Sequence, residues 1–362
     1  MIGRTLWVVA CLGVGLLARS ATAQPATTEQ VEAFRARCSA LATAASAADR
    51  RAVLGRDGWM FFAAELRHLG VGRFWGDAAV KVSRARRAAY ADPLPAILDF
   101  KKQLDALGIE FIFLPVPPKA VVYPDRLPGK LMSEGGAAPR LDAAHQAFYA
   151  KLAEAGVQVL DLTPHLMAHR LDEAGSVYCR QDTHWSGRAC VLAAQILAKH
   201  LKHRPWLKDI PRRKFVAEMR KVEITGNLLT AEQAKAVKKE RLPLRFVWPE
   251  GREWTTPIES DRDSPILLLS DSHGLVFHEG GDLHTKGAGL TDQLAFELGF
   301  AVDILAARGS ATMPVRKDLY RRGRRDKDYL KRKKVIIWCL AARDFTESTS
   351  GWPKMPVAKK MD

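Results

Sequence analysis

The stretch Pro265–Gly274, PILLLSDSHG, constrains the fold more than any other part of the chain. Ile266, Leu267, Leu268 and Leu269 form an unbroken apolar run, which suits a strand buried on both faces of a mainly parallel sheet. The run ends abruptly in Ser270, Asp271, Ser272, His273 and Gly274. These small or polar residues can turn sharply at the carboxyl end of such a strand, where open α/β sheets place their ligands. A serine on that turn lies exposed beside backbone N–H groups, as a nucleophile must. A serine-rich loop without chemistry has the same composition, so the stretch alone leaves both readings open.

The rest of the chain alternates in the way a parallel sheet requires. A helix is predicted over 28–51, followed by a hairpin turning at Asp57-Gly58 between the apolar runs Val53-Leu54 and Trp59–Phe62. Ser83–Leu107 reads as a helix stopped by Gly108, and Ile109–Val116 as a buried strand closed by Pro117-Pro118-Lys119. Leu141–Ala155 reads as a helix, Val157–Leu162 as a strand and Pro164–Leu171 as a short helix. A further helix runs from Gly187 to Leu201 with Ser186 as its N-cap. After Leu269 come a helix near Thr291–Leu298, a strand at Ala301–Leu305, a basic helix over Arg316–Lys333 and a strand at Lys334–Leu340. Strands alternating with helices imply an α/β fold, a mainly parallel sheet with helices on both faces. The pattern is weak only over 206–264, which is read as an insertion or edge region.

The first residues carry a different signal. Arg4, the apolar run Leu6–Ala18 and Ala21-Thr22-Ala23 form the n-region, h-region and cleavage pattern of a secretory leader over 1–23. The implied organisation is a helical segment at 24–50, one domain over 51–345 containing the 206–264 insertion, and a C-terminal tail at 346–362. Export places the mature chain in the periplasm or outside the cell. It also makes disulfides possible among Cys38, Cys179, Cys190 and Cys339, with no pairing decided, while Cys339 within VIIWCL reads as a plain buried strand residue. No CxxC is present, so the cysteines do not have zinc-site spacing. The formal net charge of +16 attracts an anionic partner, and export argues for polysaccharide or lipid head groups over nucleic acid. A merely solvated basic surface gives the same total.

A serine nucleophile needs a base, and the base needs a carboxylate to orient it. Asp182-Thr183-His184 supplies both, with Trp185 following. In an extended or tightly turned backbone, residues two apart project to the same side, so the carboxylate can reach the ring of its own segment. Taken alone, D-x-H is more often a helix cap beside a packed histidine. The joint occurrence of a D-x-H-W at a helix entry and an S-x-S-x-G after a buried strand supplies base, orienter and nucleophile together. A metal site built from His273, His278, His284 and Asp282 matches no standard ligand spacing. A non-catalytic chain using Arg316–Lys334 to hold an anionic polymer or membrane surface is the other alternative.

With those residues in view, the chain resembles the alginate O-acetyltransferase family of AlgX and AlgJ, whose catalytic domain is a circularly permuted relative of the SGNH hydrolases. The resemblance rests on Gly55–Phe62 (GRDGWMFF), Pro117-Pro118-Lys119 with Tyr123-Pro124, Asp182-Thr183-His184-Trp185, the serine turn, and Val335–Trp338 with Arg343. It covers about residues 50–345. It implies an SGNH hydrolase-like α/β fold with Ser272 as nucleophile, His184 as general base and acid, and Asp182 as its orienter. It also implies a polysaccharide acceptor, an acetyl donor reached through a membrane acetyltransferase partner, and no cofactor or metal. SGNH relatives carry glycine two places before the nucleophile where this chain has Ser270, so Ser270 is the competing serine. The oxyanion donors are expected at the N–H of Ser272 or His273 and near Gly287–Gly289, and Arg343 is expected either to face the site or to lie on the surface. A carbohydrate acetylesterase would use the same residues.

Overall fold

A computed structural model of the chain describes residues 26–129 and 138–358, and the leader predicted over 1–23 lies outside them. Nine strands occur among the described residues: β1 (Ala52–Leu54), β2 (Met60–Phe62), β3 (Glu110–Val116), β4 (Gln158–Val159), β5 (Phe215–Ile224), β6 (Glu240–Pro249), β7 (Ile266–Ser270), β8 (Asp303–Ala306) and β9 (Val335–Ala341). Five of them form one sheet in the order β4-β3-β9-β7-β8, and every pairing is parallel. The last strand in sequence therefore lies at the centre, with Val335 opposite both Glu110 and Ile266.

Alternation along these strands divides the interior in two. Ile112, Leu114, Ile266, Leu268, Ile337 and Cys339 face one apolar layer with helices 28–47, 187–201 and 290–298. Phe111, Phe113, Leu267, Leu269, Ile336 and Trp338 face the other with helices 93–106, 143–154 and 314–325. Helices on both faces explain why the strands read as continuous apolar runs rather than alternating ones. Residues 26–47 and 346–358 are part of this packing: Phe34 and Cys38 enter the first layer, Trp352 and Val357 the second.

Local chemistry accounts for most element boundaries. Asp57 and Gly58 both adopt left-handed backbone (φ 52° and 73°), the conformation a tight turn needs, and β1 and β2 pair antiparallel around them. Ser186 caps helix Gly187–Leu201 through the N–H of Arg188 at 3.2 Å. The helix predicted from Ser83 starts ten residues later, because Asp92 accepts the N–H of Leu94 and Pro93 occupies the first helical position. The strand predicted over 157–162 shortens to two residues at the sheet edge.

Two further differences concern charge and the weakly patterned region. Residues 215–249 form an antiparallel ribbon of β5 and β6, and Leu242, Leu244 and Phe246 are buried in the first layer. The basic segment is helical over Pro314–Arg325, and several of its charges are used inside the protein. Arg316 is buried over the Trp338 ring, while Arg322 and Lys333 pair with buried Asp303 at 2.8 and 2.9 Å. This stretch is thus not a uniform free surface for a polymer. No described helix is long and apolar enough to cross a membrane.

Candidate active site

The carboxyl end of β7 carries the site. β7 is wholly buried through Ser270, and Asp271 then caps a single helical turn, Ser272–Leu275, by accepting the N–H of His273 at 2.8 Å. Gly274 is needed at this turn: a Cβ there would lie 2.6 Å from Cβ and Oγ of Ser270. The same packing explains a small residue at 270 and buries Ser270 completely, whereas Ser272 keeps 9% of its surface exposed. Of the two serines, the structure brings Ser272 to the histidine.

Ser272 Oγ and His184 Nε2 are 2.7 Å apart, and His184 Nδ1 lies 2.6 Å from Asp182 Oδ1. Asp182 Oδ1 also accepts the N–H of His184 at 3.0 Å, so the D-x-H segment closes on itself. Burial works against an ionised Asp182, but hydrogen bonds from His184 and His284 outweigh it and hold the carboxyl well below its ordinary range. A carboxylate only accepts, so the imidazole proton belongs on Nδ1 and Nε2 is left to accept from the Ser272 hydroxyl. Burial, the largest influence, lowers the His184 pKa from 6.5; the Asp182 hydrogen bond opposes it, and neighbouring His273 adds to the lowering. At neutral pH the ring is therefore neutral and can accept a proton.

Several residues that support this chain come from distant segments. Asp182 Oδ2 accepts the N–H of Asn227 at 2.8 Å and His284 Nε2–H at 3.2 Å. The Asn227 side chain brackets Thr183, accepting its N–H and donating to its Oγ1, both at 3.0 Å. Gly226 makes this approach possible, since a Cβ there would come within 2.0 Å of the Gln181 carbonyl oxygen. From the other side, buried Lys119 donates to the carbonyls of Asp182 and of Met60 (3.0 Å). Its own N–H donates to Glu65 Oε1 at 2.8 Å, and Arg343 lies 3.7 Å from Glu65 Oε2. Arg343 is thus interior, behind the site. Burial pushes the Glu65 carboxyl up and the Lys119 ammonium down, each opposed by the other's charge.

The expected oxyanion donors divide. The N–H of His273 is engaged by Asp271 and that of Gly289 by Asp292 Oδ2 at 2.9 Å. Ser272, at the first position of its turn, has no intrahelical acceptor for its N–H. The four groups of the metal alternative point to separate partners: His273 to Asp271, His278 to Asp292, His284 to Asp182, and Asp282 to Arg308. No group of three or more histidine, cysteine or acidic side chains able to hold a metal occurs among the described residues. Cys38, Cys179, Cys190 and Cys339 are all free and buried.

A serine on the turn after a parallel strand, hydrogen-bonded to a histidine that an aspartate holds at the sheet's carboxyl end, is the arrangement of serine-dependent α/β hydrolase-like proteins. Within that class, the chain belongs to the family described as the SGNH hydrolase-like domain of the acetyltransferase AlgX, whose model matches residues 52–272. It is 30% identical over 230 residues to a probable alginate O-acetylase AlgJ of Pseudomonas fluorescens, covering 61% of this chain and 52% of that protein. The Pseudomonas aeruginosa protein of the same description is 26% identical over 167 residues, 46% of this chain and 37% of its own. The chain therefore spans about half or less of these two relatives. The O-acetyltransferase domain of Pseudomonas putida AlgJ has the same fold, with a TM-score of 0.57 at 22% identity over 82% of this chain and 92% of that one.

Proposed function

We propose that the chain is an exported O-acetyltransferase that moves acetyl groups onto hydroxyls of a cell-envelope or extracellular polysaccharide through an acyl-enzyme on Ser272. The observation that carries this reading is the continuous chain from Ser272 Oγ through His184 to Asp182, at 2.7 and 2.6 Å. The names of the AlgJ relatives support acetyl transfer to a polysaccharide, and the predicted 1–23 leader supports a periplasmic or secreted location.

His184 Nε2 takes the hydroxyl proton as Ser272 Oγ attacks the carbonyl carbon of an acetyl donor. The tetrahedral oxyanion is stabilised by the Ser272 N–H. The donor's leaving group departs with the proton from His184, leaving acetyl-Ser272. A sugar hydroxyl then gives its proton to His184 and attacks the acyl carbon, and Ser272 Oγ leaves and is reprotonated. Asp182 stays ionised throughout, holding the Nδ1 tautomer and offsetting the charge of the transient imidazolium. Water in place of the sugar hydroxyl gives the acetylesterase outcome by the same steps.

Incubation with 4-nitrophenyl acetate, with and without an oligosaccharide acceptor, tests the reading. Wild-type chain should turn the ester over and acetylate the sugar, and a sulfonyl fluoride should add to Ser272 as seen by peptide mass spectrometry. Ser272→Ala should lose at least about 10³-fold of both activities. Full turnover in Ser272→Ala would sink the proposal, and turnover with no sugar acetylation by any acceptor would leave the esterase.

A further inference from the structure

A cleft of about 300 Å³ adjoins the site through His284, which forms one of its walls and reaches Asp182 Oδ2 at 3.2 Å. Trp254, Thr256, Gly280 and Lys286 also line it. The volume is at the lower end of small-ligand sites, enough for a single ring rather than a large cofactor. Trp254 is 42% exposed although it is a large aromatic, and it is held firmly: Phe246 meets it edge-on at 5.6 Å and the Arg220 guanidinium lies 4.1 Å from its ring centre. An exposed aromatic held rigid by its neighbours is a ready contact surface.

The opposite wall is equally set. Phe277 and Leu283 join backbone to backbone at 3.0 Å, Ala288 donates to Phe277, and Val247 of β6 donates to Gly287 at 2.7 Å. Within this loop His284 is held at φ +78°, an uncommon conformation for a non-glycine residue, with its ring stacked on Phe277 at 5.4 Å. The strained backbone directs Nε2 onto Asp182 Oδ2. The lining thus combines one aromatic ring with threonine hydroxyls, an imidazole and an ammonium. A purely apolar ligand would leave the threonine hydroxyls and the Lys286 ammonium without a counterpart, and a small ion would leave the tryptophan unused. A pyranose uses both, setting its C–H face against the indole and its hydroxyls toward the polar wall.

We propose that this cleft is a saccharide subsite, holding one pyranose ring of the acceptor polymer a few units along from the hydroxyl that Ser272 acetylates. The proposal rests on the transferase reading for its place in the reaction. Its position follows from His284, which is both cleft wall and hydrogen-bond partner of the aspartate two hydrogen bonds from Ser272.

Calorimetry on the full chain carrying Ser272→Ala, titrated with a mannuronate hexasaccharide and separately with cellohexaose, tests it without needing turnover. At least one should bind, and adding Trp254→Ala should weaken that binding about tenfold, while Trp254→Phe keeps it within about threefold. Thr256→Val gives a second, less intrusive variant, expected to weaken binding in the same direction. Binding of the uronate alone assigns the ring a carboxylate facing Lys286, and binding of both assigns recognition to the ring itself. No binding of either sugar, or binding unchanged in Trp254→Ala, overturns the subsite. An inactive wild-type chain would overturn acyl transfer while leaving the binding result to stand or fall by itself.

Discussion

Asp182–His184 and Asp271–His273 are one local device built twice. In each, the aspartate Oδ1 accepts both the N–H and the ring Nδ1 of the histidine two residues on, at 3.0 and 2.6 Å in the first pair and 2.8 and 3.0 Å in the second. The two rings meet edge to face at 5.0 Å. What separates them is the rest of their surroundings. Asp182 is held by the loop residues Asn227 and His284, and its histidine turns Nε2 to Ser272. Asp271 gives its other oxygen to the N–H of Ala341 in β9 at 2.8 Å, while the His273 carbonyl accepts Trp185 Nε1–H at 3.0 Å. The first pair is tied to loops and turns a ring nitrogen to Ser272; the second is tied to the sheet and fixes the turn that carries the serine. Residue type and spacing make the pair, and the third partner decides its use.

The largest expected contrast is between the two aspartates. Asp182→Asn should lower kcat on a chromogenic acetyl ester by about 10⁴-fold, because the amide no longer fixes the Nδ1 tautomer. Asp271→Asn should cost less than about tenfold in kcat and appear chiefly as a lower unfolding midpoint. Equal kinetic losses would break the division of labour drawn above.

Next in size is His273→Ala. Burial opposes ionisation of Asp271, but His273 and Arg343 hold its carboxyl below the ordinary range. That stabilisation is present at neutral pH and is lost as the pH falls below about 3.8, the carboxyl's usual value. Removing the histidine leaves a buried carboxylate poorly paired, at a cost of about 3 kcal/mol by denaturant unfolding. The same variant sharpens the electrostatic side. Under the acyl-transfer proposal activity needs neutral His184, whose lowered pKa places the expected acid limb of kcat/KM below pH 6.5. Because His273 contributes to that lowering, His273→Ala should move the limb upward, and a pH–rate profile with an unmoved limb would separate the two pairs electrostatically.

Smaller effects test the loop tie and the serine choice. Asn227→Ala removes both side-chain bonds to Thr183 but keeps the backbone bond to Asp182, so kcat should fall by about tenfold with little change in KM. Ser270→Ala should change either parameter by less than about twofold, since Ser270 only fills space beneath Gly274. A loss comparable with Ser272→Ala would reassign the nucleophile.

Much of this was legible in the amino-acid sequence where signals are local. The apolar run ending at Leu269, the Asp57-Gly58 turn and the Ser186 cap each follow from a few adjacent residues. Asp182, His184 and Ser272 stand out as candidates because their types are chemically restrictive, and the structure brings the three within hydrogen-bond distance in series. Asn227 escaped, lying in the weakly patterned 206–264 region, and His284 reads only as a metal alternative, since their contacts to Asp182 span 45 and 102 residues. Lys119 was visible only as the end of a proline turn; its support of the Asp182 carbonyl depends on tertiary packing. Ser83–Ala91 shows the opposite failure, where residues compatible with a helix are overruled by the Asp92-Pro93 start signal.

The place of β9 bears on how the protein comes into being. β3 and β7 have no mutual contact in the sheet until the strand made last inserts between them. A nascent chain therefore carries unpaired strand edges until residue 341 has been synthesised, and closure joins segments from distant parts of the polypeptide. Truncation before Val335 removes a central strand together with the Ala341 N–H that anchors Asp271. Late insertion of β9 therefore leaves closure of the sheet to the end of synthesis, after every other strand is available to pair.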